Sequence, residues 1–330
     1  MRAAARRRFL IGAGALLAAF PALGQKAAGR AARIGFLGAS TPAAWKPRVD
    51  AFRAGLRELG YVEGQDVVIE FRFAENQYQR LPALAAELVD LKVDVIVTHA
   101  APGALAAKQA TAANRIPVVM TNVGDAVGWG IVENLARPGG NITGDTFFVT
   151  ELVAKRLEVL REALPGVRRV GVLANPGNAR AGQSVQAMES AARELGLTLV
   201  RFDAHGRADL ERAFGAMMKE KIEALAVVED AALISHGPRI VELALARRLP
   251  SISTVEYAEA GGLLGYGVDF LALYRRAAVF VDRILKGARP GDIPVERPAR
   301  FEFVINAKTA KALGVAIPPA TRLRADREIP

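Results

Sequence analysis

From Arg33 onward the chain alternates short, almost wholly apolar runs with longer stretches in which apolar residues recur every three or four positions. The short runs read as strands buried on both faces of a parallel sheet, and the long stretches as helices lying on those faces. Ile34 to Leu37, apolar apart from Gly35, is the first predicted strand. Ser40 or Thr41 then offers an N-cap. Pro42 suits the first helical turn because it has no N–H to lose there, and Gly60 supplies a left-handed residue at the helix end. Further strands are expected at Val67 to Phe73, Val93 to Thr98 and Ile116 to Thr121, with helices starting near Leu81 and Pro102 between them.

The same series then restarts. Arg169, Val170, Gly171, Val172 and Leu173 echo Arg33, Ile34, Gly35, Phe36 and Leu37, and the Arg-Glu-Leu-Gly at 193–196 repeats that at 57–60, both 136 residues on. A shared spacing with the same order of elements marks two similarly built lobes. Strands near Ala224 to Val228 and Pro250 to Ser253 complete the second set. The expected fold class is α/β, as two doubly wound, Rossmann-like lobes facing one another. The carboxyl ends of their strands then border a common cleft, where ligands bind in this architecture and helix N-termini offer N–H groups to an anion.

Residues 1–24 break the pattern. A basic start, the apolar run Phe9 to Phe20 and then Pro21, Ala22, Leu23 and Gly24 have the three-part build of an export signal, with cleavage expected after Gly24. Arg6 and Arg7, followed by Phe9 and Leu10, resemble a twin-arginine signal, with the Sec route left open. The run of 12 apolar residues falls short of the roughly 20 that span a bilayer. The formal charge is +10, but Arg2, Arg6, Arg7 and Arg8 belong to this leader, which leaves +6. The remaining basic residues are scattered among acidic ones, without the basic stripe interleaved with aromatics that nucleic-acid binding needs. The chain has no cysteine, which excludes disulfides, a thiol nucleophile, thiolate metal sites and the acylated cysteine of a lipoprotein.

Catalytic signatures are missing. No phosphate-binding G-x-x-x-x-G-K-[ST] loop, G-x-S-x-G elbow or H-E-x-x-H helix occurs, and His99, His205 and His236 lie far apart. No catalytic residue, cofactor or metal is therefore expected. Glu229 and Asp230 are adjacent acids at a strand end, where neighbours point to different sides, so one of them is expected to face the cleft.

Four long stretches carry a family resemblance: "FRAGLRELGYVEGQDVVIEFRFAE" at 52–75, "RLPALAAELVDLKVDVIV" at 80–97, "LARPGGNITG" at 135–144 and "RRAAVFVDRILKGARPGDIPVERPARFEFVINAKTAKALGVAIPP" at 275–319. They resemble the ABC transporter substrate-binding proteins that include the tryptophan-binding TrpX type. The resemblance implies a type I periplasmic-binding fold with a three-stranded hinge, a monomer that delivers its ligand to an ABC permease in the inner membrane. On this chain it places lobe one at 33–146 plus 267–297 and lobe two at 147–266 plus 298–330, with the glycines of "GGNITG" and Gly265 and Gly267 near the crossings. This chain departs from the family at Ala126, where members commonly have proline in Gly-Asp-Pro-Val, and at Gly265, where they commonly have serine before Tyr-Gly.

Candidate ligand contacts follow from the strand ends. Ser40 and Thr41 either hold a carboxylate or simply cap a helix, and Trp45 either lies over an apolar ligand group or belongs to the core. His99, Ala100 and Ala101 follow the third strand and complete an anion cradle, and Thr121, Asn122 and Asp125 follow the fourth. Asp125 is suited to a ligand ammonium, or to capping the next helix. The second lobe offers Phe147, Asn175, Asp230, Thr254, Glu256 and Tyr266, with Phe147, Tyr266 and Trp45 placed to sandwich a planar group. The expected ligand is an amino acid, aromatic ones included, or a related small carboxylate. An exported sensory module presenting its ligand to a membrane receptor, and an exported α/β enzyme, are the alternatives.

Overall fold

A strand stays in the middle of a parallel sheet only if both faces are apolar, and β1 (Ala32–Gly38) meets that condition, with its last five residues buried. The computed structural model describes residues 30–298 and 300–330, so the predicted leader at 1–24 lies outside the described residues. After β1 come α1 (Pro42–Glu58), β2 (Val67–Phe73), α2 (Leu81–Asp90), β3 (Val95–His99), α3 (Ala100–Ala110), β4 (Val118–Val123) and β5 (Ile142–Thr146). The strands form an all-parallel sheet in the order β2-β1-β3-β4-β5.

The second lobe repeats the plan: α4 (Val149–Ala163), β6 (Arg169–Ala174), α5 (Ala181–Glu194), β7 (Thr198–Asp203), α6 (Arg207–Lys219), β8 (Ala224–Val227), α7 (Ala231–Ser235), α8 (Gly237–Ala246), β9 (Ser251–Ser253), α9 (Val255–Glu259) and β10 (Leu264–Gly267). The chain then forms α10 (Phe270–Leu285), β11 (Glu302–Asn306), α11 (Ala307–Leu313), α12 (Pro319–Leu323) and β12 (Arg327–Ile329). The second sheet runs β12-β11-β10-β9-β8-β6-β7, parallel except where β11 meets β10. Its β7-β6-β8-β9-β10 portion has the strand order of the first sheet, so β1 and β6, and α1 and α5, occupy equivalent places 136 residues apart, as the sequence echo predicts. Ala31–Pro330 is one body by its internal contacts.

α10 shows how the lobes share the chain. Its buried Phe270, Leu273, Tyr274, Ala277, Val281 and Ile284 follow a helical period, and Tyr274, Phe280 and Val281 join the core of the first lobe with Phe36, Trp45 and Phe52. α10 packs so closely on α1 that a Cβ on Gly55 would lie 2.2 Å from the carbonyl oxygen of Arg275. The second lobe keeps its own core around Leu157, Val172, Ile252, Leu264 and Ile305. α3 begins at Ala100, two residues ahead of the predicted Pro102, because His99 in extended conformation ends the strand.

The crossing at β5 is tightly built. Gly144 sits at φ +134°, and a Cβ there would lie 1.8 Å from the Met120 carbonyl, which only glycine avoids. The neighbouring crossing segment is held alongside by hydrogen bonds from Glu296 N to Gly144 O and from Thr146 N to Glu296 O, both 2.9 Å. Asp145, 1% exposed, accepts from the backbone N–H of Asn122 at 2.7 Å. Burial pushes its carboxyl up from 3.8 to about 7, against the opposing pull of the Asn122 N–H, the Thr121 hydroxyl and the Arg276 charge. The folded chain therefore holds a proton between pH 4 and 7 that the unfolded chain has lost, so this group's contribution to stability falls as pH rises through that window. In Asp145→Asn the amide oxygen keeps the bond to Asn122. The stability of this variant relative to the parent should rise by up to about 4 kcal/mol between pH 4 and pH 8, measured by urea unfolding, and a pH-independent difference would contradict the account.

Candidate ligand cleft between the two sheets

The tips of β3 and β4 face those of β6 and β8 across a cavity. The first lobe lines it with Trp45 of α1, His99, Ala100 and Ala101 at the β3–α3 junction, Asn122 at the end of β4, Gly124 and Trp129. The second lobe contributes Phe147 and Val149, Asn178, Arg180 and Ser184 around the start of α5, and Glu229, Asp230 and Ile234.

His99 is the polar centre of the first wall. Its Nε2 accepts the Ala39 N–H at 3.0 Å, which leaves the ring proton on Nδ1, and that buried atom has no hydrogen-bond partner among the described residues. Burial, reinforced by the Arg48 charge, lowers the imidazole to about 3, so the ring is a neutral donor rather than an acid or base at ordinary pH. The His99 side chain does not cap α3, so the first N–H groups of that helix stand at the cavity wall without a side-chain cap among the described residues. Ala100 and Asn122 adopt φ of +55° and +53°, a costly conformation for residues with a Cβ, and both lie at the tips that line the cavity. The Asn122 carboxamide oxygen is buried and unpartnered.

Charge is buried at the same place. Arg156 pairs with Glu229 at 3.0 Å and donates from Nε to the Tyr266 carbonyl at 2.7 Å. Burial raises the Glu229 carboxyl, with Arg156 opposing. Arg48 of α1, 5% exposed, lies with its guanidinium carbon 4.5 Å from the Trp45 ring centroid, and its Nη2 is 3.8 Å from Glu256 Oε1 of α9. Burial outweighs Arg48 in raising Glu256 to about 7.

The lobes also touch directly. The Tyr78 hydroxyl donates to Asp230 Oδ2 at 2.9 Å and accepts from the Ala232 N–H at 3.0 Å, and Asn76 donates to the Ser235 hydroxyl at 3.1 Å. The indole N–H of Trp129 donates to Gln183. These contacts join loops of opposite lobes, so the structure is closed.

The predicted site residues divide into three groups. His99, Ala100, Ala101, Trp45, Asn122, Phe147 and Asp230 are brought together at the first cavity. Thr254 and Glu256 line a second cavity on the α1 side. Neither cavity includes Ser40, Thr41, Thr121, Asp125, Asn175 or Tyr266 in its lining. Thr41 caps α1 through Ala44 N, Ser40 and Thr121 are fully buried, Asp125 accepts from Gly128 N, and Asn175 accepts from Gly177 N while donating to Asp230. Tyr266 stacks on Phe301 with ring centroids 6.3 Å apart, so the three-ring sandwich does not form. The Trp45 ring, fully buried, stacks on His99 at 4.4 Å and donates its N–H to Tyr274. Glu229 and Asp230 both border the cavity, against expectation, because β8 ends at Val227 and the alternation of a strand no longer applies to them. Asp230 instead caps α7 and accepts from Asn175, Asn178 and Tyr78. Residues not anticipated are Arg48, Tyr78, Trp129, Asn178, Arg180 and Ser184. Ser184 stands in α5 where Arg48 stands in α1, 136 residues apart, but neither carried a signal of its own.

Two lobes that close over a cleft walled by backbone N–H groups, a neutral imidazole and aromatic rings define a solute-binding protein with the type I periplasmic-binding fold. The chain belongs to the ABC transporter substrate binding protein family, whose description matches residues 40–329. A tyrosine-binding protein of Clostridioides difficile (strain R20291) is 29% identical over 272 residues, which are 81% of this chain and 77% of the relative. An ABC domain from Streptococcus pneumonia in complex with L-Trp is 27% identical, with a TM-score of 0.80 over 90% of this chain and 100% of the other. A ligand-free, open substrate-binding protein with adhesive properties from Clostridium difficile is 26% identical over 90% of this chain and 99% of the other, with a TM-score of only 0.62. At nearly equal identity and coverage, the lower score to the open structure agrees with the closed arrangement of the lobes.

The Tyr78 bonds to Asp230 and Ala232 belong to the closed form, so they add to ligand affinity by stabilising it. Tyr78→Phe is expected to weaken binding of whichever solute stabilises the parent protein by about tenfold in calorimetric titration, with little change in unfolding free energy. Unchanged affinity would show that the bonds are not part of the bound state.

Proposed function

We propose that this chain is the periplasmic solute-binding component of an ABC importer, which captures an amino acid, aromatic ones foremost, or a related small carboxylate and passes it unaltered to an inner-membrane permease. The observation that carries this reading is the first cavity itself. An acceptor group of the ligand meets the His99 Nδ1–H and the open N-terminus of α3, while Trp129 and Phe147 supply aromatic walls from opposite lobes. The ligand contacts assigned on this basis are His99, Ala100, Ala101, Asn122 and Phe147, joined by Trp129, Asn178, Arg180 and Ser184. The names of the tyrosine-binding relative and of the tryptophan complex favour the same ligand class.

Binding without turnover fits the acids in the cavity. Glu229 is ion-paired with Arg156 through one carboxylate oxygen, and Asp230 accepts bonds from three side chains besides capping α7, an arrangement that holds both acids in place. Export rests on the leader at 1–24, and no helix among the described residues is long and apolar enough to cross a membrane.

The test is a thermal-stability screen of the purified mature protein against the L-amino acids, aromatic carboxylates and sugars, followed by mass spectrometry of the recovered ligand. An aromatic amino acid or small carboxylate should stabilise the protein by about 2.7 kcal/mol at one hundred times its dissociation constant and be recovered intact. A response to sugars alone, or a chemically changed ligand, would overturn the reading.

A further inference from the structure

A second cavity of about 300 Å³ lies on the α1 side of the cleft and shares Ile234 with the first. Pro47 and Arg48 line it from the first lobe, and Val228, Leu233, Glu256 and Tyr257 from the second. By the 136-residue repeat it is the counterpart of the first cavity: α5 brings Ser184 to one, and α1 brings Arg48 to the other. Only the α1 side carries opposite charges on its facing walls.

Those charges face each other without the hydrogen bonds that would satisfy them. Arg48 and Glu256 approach to 3.8 Å without a hydrogen bond, whereas the buried Arg156–Glu229 pair nearby closes to 3.0 Å. Arg48 is 5% exposed, yet neither its Nε nor its Nη2 has a hydrogen-bond partner among the described residues. Both carboxylate oxygens of Glu256 are likewise buried, and neither makes a hydrogen bond of good geometry among the described residues, although the Thr254 hydroxyl and the Glu256 N–H lie close enough to favour the charged form. Buried ions are tolerated when hydrogen bonds replace their lost hydration, so this pair leaves unspent donors and acceptors side by side at a cavity wall. A guanidinium is matched by a carboxylate and a carboxylate by an ammonium. The two complementary groups stand on one carbon in an α-amino acid. The rest of the wall is apolar apart from four hydroxyls that already have partners: Ser235 donates to Ala232 O, Ser253 to Val227 O and Tyr257 to Ser251, and Thr254 accepts from Tyr257 N.

We propose that this cavity is an additional binding site for the zwitterionic head of an α-amino acid, with the carboxylate on Arg48 and the ammonium on Glu256. The proposal rests on the reading that the cleft takes amino acids, and adds a place that distinguishes them from simple carboxylates. Because Arg48 and Glu256 come from opposite lobes, a ligand here also draws the lobes together.

The probes are L-tyrosine, its deaminated analogue 3-(4-hydroxyphenyl)propanoate and its decarboxylated analogue tyramine, titrated calorimetrically into the mature protein and into Glu256→Gln. The parent should bind tyrosine at least tenfold more tightly than either analogue. Glu256→Gln should weaken tyrosine by about 10- to 100-fold while leaving 3-(4-hydroxyphenyl)propanoate unchanged. Equal binding of all three probes to the parent sinks the proposal without needing the variant. So does a Glu256→Gln protein that still prefers tyrosine, or one that loses both acids alike. Were the parent to bind none of the probes, nor any other amino acid, the ligand class proposed above would fall as well, whereas the other adverse results leave that class standing.

Discussion

A guanidinium held out of water between two lobes sets the terms for everything around it. Arg48 is almost fully buried, and removing a charge from water costs several kcal/mol unless neighbours compensate. The Trp45 ring takes part of that role by presenting its π system, and Glu256 takes part by remaining within reach. The same cation helps keep His99 neutral, and so turns an imidazole at the cleft into a fixed donor. The cation–π contact with Trp45 and part of the neutrality of His99 are thus consequences of one placement, on a helix that packs closely against α10, while the Ala39 N–H fixes which ring nitrogen of His99 holds the proton.

The fold was legible because its signals are local. Apolar runs bounded by caps and glycines gave β1, β2 and β6 nearly to the residue, and the repeated Arg-Glu-Leu-Gly pointed to the second lobe. The C-terminal segment was harder to read from its own pattern. β11 pairs antiparallel to β10 and β12 follows at the sheet edge, a pairing that depends on contacts across the chain rather than on spacing. The lining of the first cavity was legible where backbone position alone decides, as for His99, Ala100, Ala101 and Asn122 at strand tips. It was illegible where side chains compete for local partners. Thr41, Asp125 and Asn175 look like ligand groups in sequence but satisfy turns and helix ends, which are closer and need no closure. Arg48 and Tyr78 carried no motif, because their importance arises only when the second lobe comes up against them.

The internal repeat has diverged where it matters. Equivalent helices meet equivalent strand tips in the two cavities, yet one wall holds a histidine and an open helix end and the other an arginine facing a glutamate. A duplicated framework supplied two similar recesses, and different side chains gave each its own chemistry. Two of the eight described non-glycine residues with positive φ, Ala100 and Asn122, lie at the first-lobe tips, and Asp145 fastens the Asn122 N–H from the crossing segment. That bond ties the crossing directly to the cavity wall.

The chain contains two tryptophans, and both border the first cavity. Trp45 is sealed in the core, while half-buried Trp129 reaches across to Gln183 of the opposite lobe. The indole emission of the molecule therefore originates at its cleft, with one fluorophore in constant surroundings as an internal reference and the other changing environment when the lobes part. Opening and shutting are in this way readable from the native protein's own light, with no dye attached.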